Sequence, residues 1–202
     1  MIAMLNRRQL LLAALSTVFV AGHAMGDSTD AAQALVEKLS RDLIGVVNGP
    51  GSAGEKQAAL EKLIDRDVDI QAVARFCLGR FWRTANPDQL KAYGDLFRAV
   101  LVRNITSKVG EYQGVTMAVG KAQAREDDVL VGSVVTRPNN APSRVDWVVS
   151  AAGGAPRIID VVAEGTSLRL TQRSDYSAFL SRNNNDVQAL IDAMRKQATQ
   201  PG

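Results

Sequence analysis

Histidine, cysteine and aromatic residues are scarce in this 202-residue chain, and their scarcity excludes several kinds of chemistry. His23 is the single histidine, Cys77 is the single cysteine, and aromatic residues make up 5% of the sequence. A lone cysteine cannot form an intramolecular disulfide, and a lone histidine cannot build a histidine metal cluster. Because hydrophobic residues still reach 46%, we expect a fold that rests on an aliphatic core.

The amino terminus has the pattern of a secretory leader. Arg7 and Arg8 precede an apolar run over residues 10–21, which is too short to span a bilayer, and small residues follow it. Cleavage after Ala24 or after Gly26 would satisfy the small-residue rule, and both sites stay open. The paired arginines also leave open a twin-arginine signal.

Removal of this leader changes what the composition implies. The prediction is a signal peptide of residues 1–26 followed by a single domain of residues 27–202. The processed domain would have no histidine, and its 22 basic and 21 acidic residues would give a net charge of +1. This balance excludes the strongly basic field typical of nucleic-acid-binding proteins. Export predicts a periplasm-like or extracellular compartment.

The first half of the processed domain shows the hydrophobic spacing of helices. Residues 48–50, Asn-Gly-Pro, end the first predicted helix, and Ser52 with Glu55 forms a capping box for the second. Asn86 and the following proline begin a long fourth helix, whose apolar residues continue to Val109.

The third predicted helix carries one unbroken apolar stripe over residues 70–81. Cys77 lies on this stripe, so we expect a buried thiol that acts as a small hydrophobic group. Arg75, Arg80 and Arg83 fall beside the stripe. They form a solvated face, or they make a docking patch or a phosphate contact.

From Gln113 the hydrophobic period changes to two, which predicts strands. After a first strand, the predicted strands cover residues 129–136, 144–150, 157–163 and 167–172. A bend or bulge is expected at Gly165, and short helices over residues 175–180 and 186–194 close the chain. The predicted fold is α+β: a curved antiparallel sheet of four to five strands with amino-terminal and carboxy-terminal helices packed on it around an apolar pocket.

The predicted strands are apolar on both faces, which is unusual for a sheet covered on one side. The extra aliphatic residues either seal a thick core or line a cavity for an apolar ligand. Acidic residues also lie on or beside these strands, at Asp146, Asp160 and Glu164. They are ion-paired or exposed, or one of them is a buried general base of an enzyme.

Residues 74–85 closely resemble a signature of the MlaC family of periplasmic phospholipid-binding proteins, also called toluene-tolerance auxiliary proteins. Further matches follow in the same order at residues 145–147, 159–161, 164–168, 172–176 and 185–191. Cys77 stands where the family usually has an aliphatic residue, and residues 155–157 replace a more usual aromatic-basic pair.

This resemblance implies a soluble, monomeric, periplasmic carrier whose cargo is phospholipid. Such a carrier exchanges lipid between an outer-membrane lipoprotein–porin complex and an inner-membrane ABC transporter complex, and it maintains outer-membrane lipid asymmetry. No cofactor, metal, nucleic acid or enzymatic activity is expected. A carrier of hopanoids or other lipids, an adaptor without cargo, and an isomerase-like enzyme with a cone-shaped fold remain alternatives.

The residues predicted to face the lipid tails are apolar positions beyond those that one packing seam requires. They are Leu101, Ile105, Val109, Val145, Trp147, Val149, Ile159 and Val161. The opposite strand phase, with Val148, Ile158 and Val162 facing inward, is the alternative, because a one-residue shift turns every strand side chain to the other face.

Overall fold

The computed structural model describes residues 21–107, 109–150 and 154–199. The helices are α1 (Ala21–Asn48), α2 (Ala53–Asp67), α3 (Ile70–Leu78), α4 (Pro87–Thr106), α5 (Leu168–Arg182) and α6 (Val187–Thr199). The strands are β1 (Thr116–Arg125), β2 (Asp128–Thr136), β3 (Ser143–Ser150), β4 (Arg157–Ala163) and β5 (Thr166–Ser167). Residues 1–20 of the predicted leader lie outside the described residues. Among the helices described, none is long and apolar enough to cross a membrane.

The strands form one open antiparallel sheet in the order β1-β2-β3-β4-β5. Helix α1 packs on β1 and β2, whereas α5 and α3 pack on β4. Each strand therefore neighbours the next strand in the chain, and α1 covers a different part of the sheet from α3 and α5. The predicted α+β fold is confirmed.

The predicted starts of two helices are confirmed by their capping hydrogen bonds. The Ser52 side chain accepts from the Glu55 amide, and the Glu55 carboxylate accepts from the Ser52 amide at 2.8 Å. Asn86 and Gln89 make the same reciprocal pair at the start of α4. These contacts satisfy amide groups that have no partner within the helix.

The third helix is shorter than predicted. It ends at Leu78, and a 3-10 helix (Gly79–Arg83) replaces it and carries Phe81. Gly79 has a φ of 60°, and a Cβ atom there would lie 3.3 Å from Nε of Arg173. Glycine at this position therefore permits both the positive φ and the close approach of Arg173.

The fourth helix is also shorter than predicted, and Val109 is not part of it. Helix α4 ends at Thr106, and Val109 begins a separate 3-10 helix (Val109–Tyr112). Its side chain is buried in the core cluster formed with α1, α2 and the sheet.

A bulge in β4 changes which side chains share a face. Val149 pairs with Ile158, and Trp147 pairs with Val161, so β4 has one residue more than β3 across this interval. The extra residue lies at Ile159. Because directly opposed residues point to the same face of a sheet, Ile158 and Val161 share the face of Val149 and Trp147. The predicted strict alternation of β4 is wrong at this point.

The predicted fifth strand is mostly helix. Strand β5 contains only two residues, and Ser167 begins α5 as its N-cap, accepting from the Leu170 amide at 3.1 Å. The predicted bend at Gly165 is confirmed, since Glu164 and Gly165 have φ values of 49° and 80°. A tight turn therefore leads directly into a helix longer than the one predicted at residues 175–180.

The hydrophobic core has two halves. The first combines α1, α2 and the inner face of the sheet, with Val131 and Val149 fully buried. The second lies among α3, α4, α5 and α6, with Tyr93 and Leu180 fully buried. Two partly separate cores leave space along their boundary, which is where the candidate site lies.

We predict that Ser167→Ala lowers the free energy of unfolding by about 1–3 kcal/mol, because it removes the cap of α5 and a hydrogen bond to buried Asp160. Urea denaturation measures this change. The matched control is Ser174→Ala, an exposed position on the same helix, which should stay within about 0.5 kcal/mol. Equal effects of the two substitutions would contradict the assigned role of Ser167.

Candidate functional site

A cavity of about 600 Å³ lies between the helices and the carboxy-terminal part of the sheet. Its apolar wall combines residues of α1, α2, α4 and the sheet: Leu39, Leu43, Leu60, Leu63, Ile64, Phe97, Val100, Leu101, Ile105, Trp147, Ile158, Ile159 and Val161. This volume falls within the range of ligand pockets, roughly 300–1,000 Å³. The wall offers contact surface to an apolar ligand and little that could orient a polar one.

The polar lining of the cavity is concentrated where α5 begins. Asp160 of β4 and four residues of α5, namely Arg169, Thr171, Gln172 and Asp175, line this side, and Asn104 of α4 adds one further amide to the lining. The cavity therefore has a long apolar wall and one polar edge. An amphipathic molecule with a polar end and apolar tails suits this division.

The cavity opens to solvent beside exposed apolar side chains. Ile105, Tyr112 and Leu168 all line it, and their exposed fractions are 43%, 37% and 52%. We call these three residues the mouth. Exposed apolar groups at a cavity opening allow hydrocarbon to enter without passing a polar barrier.

Five of the eight residues predicted to face lipid tails line this cavity. They are Leu101, Ile105, Trp147, Ile159 and Val161. The other three, Val109, Val145 and Val149, lie outside the lining: Val109 and Val149 are buried in the first core cluster, and Val145 is half-buried on β3.

Of the three residues that the alternative strand phase would turn inward, one lines the cavity and two do not. Ile158 lines the cavity because of the β4 bulge, whereas Val148 and Val162 do not. A strict inward–outward alternation in either phase does not describe β4, because residues before and after the bulge both line the cavity.

Residues of α1 and α2 make up a part of the wall that the sequence did not single out. Leu39 and Leu43 of α1 face Leu60, Leu63 and Ile64 of α2 across this region. The helical spacing of these leucines was recognisable. Only the tertiary packing, however, separates a leucine that seals the core from one that lines a cavity.

The buried carboxylate Asp160 is fully engaged in hydrogen bonds. It accepts from the Ser167 hydroxyl at 2.6 Å and from the amides of Val161 at 2.8 Å and Arg169 at 3.0 Å. The Arg169 guanidinium lies 3.5 Å from the same carboxylate. Four contacts leave no free lone pair directed at a substrate, which favours a structural role over that of a general base.

The other two acidic residues singled out from the sequence contact Arg144. Asp146 pairs with its guanidinium at 3.1 Å, and the Glu164 carboxylate accepts from its amide at 2.7 Å. Neither acid lines the cavity. Within the described part of the chain, no group of three histidine, cysteine or acidic residues could hold a metal ion.

Aromatic side chains form the wall toward the second core. Tyr176 packs edge-on against both Tyr93 and Phe97, with ring centroids 6.1 and 6.4 Å apart. The Tyr93 hydroxyl donates to the Ala74 carbonyl at 2.9 Å. Burial raises the pKa of both tyrosines, so this wall stays neutral.

A comparison with protein-family models identifies the family. Residues 37–196 match the model described as MlaC protein. The chain belongs to the MlaC family. The resemblance found in the sequence motifs is therefore confirmed, and it extends over the cavity-lining elements from α1 to α5.

Two individual proteins also resemble this MlaC-family chain. The toluene tolerance protein ttg2D of Pseudomonas putida is 26% identical over 137 residues, which are 66% of this chain and 63% of that protein. A solved phospholipid-binding protein from Ralstonia solanacearum, in complex with a phospholipid, covers 84% of this chain and 97% of its own. Its TM-score of 0.73 at 24% identity shows a shared fold.

The reactivity of the Cys77 thiol can be used to measure burial in this site. Its side chain is 2% exposed and lines the cavity, as its position on the α3 stripe predicts. Burial raises the pKa of the thiol to about 12, and Asp160 adds to the shift. The prediction of an inert, buried cysteine is thus supported by both packing and electrostatics.

At about pH 8, Cys77 of the folded protein should react with an aromatic disulfide reagent at least about a hundredfold more slowly than in urea-unfolded protein, because only the thiolate attacks. Absorbance of the released thiol measures the rate. Comparable rates in the two states would contradict the burial assigned to Cys77.

Proposed function

We propose that this chain is an exported phospholipid carrier of the periplasm. The observation that carries the proposal is the apolar cavity of about 600 Å³ with one polar edge. Membership of the MlaC family and the phospholipid-bound relative of similar fold support it. The cavity would hold the acyl tails, and the headgroup would stay near the polar edge.

The need for a carrier follows from the hydrophobic effect. Two acyl tails contain roughly 30 methylene groups at about 0.8 kcal/mol each, so a bare lipid pays on the order of 20 kcal/mol to enter water. A protein that crosses an aqueous compartment must enclose most of that surface. Release then has to occur in contact with an acceptor, since release into water would be far too slow.

The proposed pathway joins two membranes. The carrier would exchange phospholipid between an outer-membrane lipoprotein–porin complex and an inner-membrane ABC transporter complex, and so maintain outer-membrane lipid asymmetry. The leader pattern of residues 1–26 supports export. We propose that the processed chain acts as a monomer.

An enzymatic function has one observation in its favour, which is the buried Asp160 at the cavity. Its four contacts with Ser167, Val161 and Arg169 argue against it as a base. We therefore propose no catalytic activity. An adaptor without cargo is distinguished from a carrier by the following experiment.

Leu101→Asp should reduce bound phospholipid at least about tenfold, because an unpaired carboxylate beside hydrocarbon costs more than about 1.4 kcal/mol. Lipid extraction and mass spectrometry of purified protein measure the load. Ala99→Asp, an exposed position on the same helix, is the matched control and should keep the load of the wild type.

Circular dichroism and thermal melting establish that both variants are folded. Wild-type protein that carries no lipid after purification, and accepts none from phospholipid vesicles, would refute the carrier and favour the adaptor. Equal lipid loads in folded Leu101→Asp and Ala99→Asp proteins would refute the assignment of tails to this cavity.

A further inference from the structure

Positive charge is concentrated on two helices that pack together. Helix α3, the 3-10 helix after it and α5 contain six arginines and one acidic residue, Asp175. The whole chain has a net charge of only +3, so the remaining residues carry an excess of acid. The small net charge therefore conceals a strong local field.

Most of these arginines have no acidic partner. Arg169 pairs with Asp160. The other five, Arg75, Arg80, Arg83, Arg173 and Arg182, are exposed and make no ion pair with any carboxylate in the described part of the chain. We call four of them, Arg75, Arg80, Arg83 and Arg173, the basic face, because they lie on α3, the 3-10 helix and the adjoining first turns of α5. Elsewhere on the molecule, arginines such as Arg66 and Arg98 do contact carboxylates.

Aromatic rings hold several of these guanidinium groups in place. Arg173 lies 4.9 Å from the Phe76 ring centroid, and it also approaches the backbone of Gly79. Arg75 lies 5.9 Å from the ring of Trp82, and Arg80 stacks on a neighbouring phenylalanine. Stacking orders a guanidinium and leaves its N–H edge free to bind an anion.

Exposed leucines adjoin the basic face at the start of α5. Leu168 and Leu170 are 52% and 57% exposed, the highest values among the large hydrophobic residues described. Leu168 also belongs to the mouth of the cavity, and Leu170 shares a shallow outer groove with Arg173. Arginines beside exposed leucines are the combination that binds an anionic membrane surface.

We propose that the basic face, together with Leu168 and Leu170, docks this protein directly onto an anionic bilayer. Lipid phosphates accept hydrogen bonds from several guanidinium groups at once, and the leucines enter the headgroup region. Because Leu168 also belongs to the mouth, this contact brings that edge of the cavity opening to the membrane. It is a binding activity beyond the holding of cargo, and it requires no protein receptor.

Sedimentation with sucrose-loaded vesicles tests the proposal on the exported, processed protein. We expect binding to vesicles of phosphatidylcholine and phosphatidylglycerol (about 3:1), little binding to phosphatidylcholine alone, and loss of binding at about 0.5 M salt. Since each arginine near such a surface contributes about fivefold, the double variant Arg80→Gln/Arg83→Gln should lose about 25-fold. Adding Arg173→Gln should increase the loss to about a hundredfold.

The matched control triple variant is Arg41→Gln/Lys62→Gln/Arg125→Gln, which removes the same charge at exposed positions of α1, α2 and β1. It should retain most of the vesicle binding. Leu170→Ser should weaken binding, whereas Val134→Ser, at a residue 45% exposed on β2, should not.

Three results would overturn the proposal: no preference for anionic vesicles, equal losses in the two triple variants, or unchanged binding in the double variant. Absence of vesicle binding would assign the basic face to an acidic protein surface instead.

Lipid load is measured on the same preparations. It should match the wild type in every variant, so the carrier and the membrane contact can fail separately.

Discussion

The contact of the buried Asp160 carboxylate with the start of α5 is the interaction on which the arrangement of the cavity depends. Asp160 accepts hydrogen bonds from the Ser167 hydroxyl and the Arg169 amide, and it forms an ion pair with the Arg169 side chain. These contacts fix the first turn of α5 against β4. That turn carries Leu168 of the mouth and leads into the polar edge of the cavity. A buried carboxylate is tolerated here because both of its oxygen atoms have hydrogen-bond or ion-pair partners.

The two-part core explains how a chain of this size can be stable and still contain a large cavity. One half joins α1 and α2 to the sheet, and the other joins α3 to α6 around Tyr93 and Leu180. The cavity is lined by residues of both halves and so lies at their boundary. A single continuous core would have filled that space, since protein interiors pack at nearly crystalline density.

Local signals made much of this fold predictable, and long-range contacts account for the rest. The capping residues Ser52 and Asn86 marked helix starts, and the two-residue period identified strands, because these signals act over a few residues. The bulge at Ile159 and the break at Gly79 depend on partners far away in sequence, namely β3 and Arg173. Five predicted residues line the cavity, whereas Val109 and Val149 pack in the first core and Val145 lies outside the lining.

The proposed position of the acyl tails, in the cavity beside Trp147, can be tested with the two tryptophans of the chain. Trp147 lines the cavity, whereas Trp82 lies outside it in the 3-10 helix after α3. Protein with Trp82→Phe, loaded with a phospholipid brominated on its tails, should show strongly quenched fluorescence because bromine quenches on contact. Protein with Trp147→Phe should remain bright. Strong quenching of Trp82 together with an unquenched Trp147 would contradict this position of the tails.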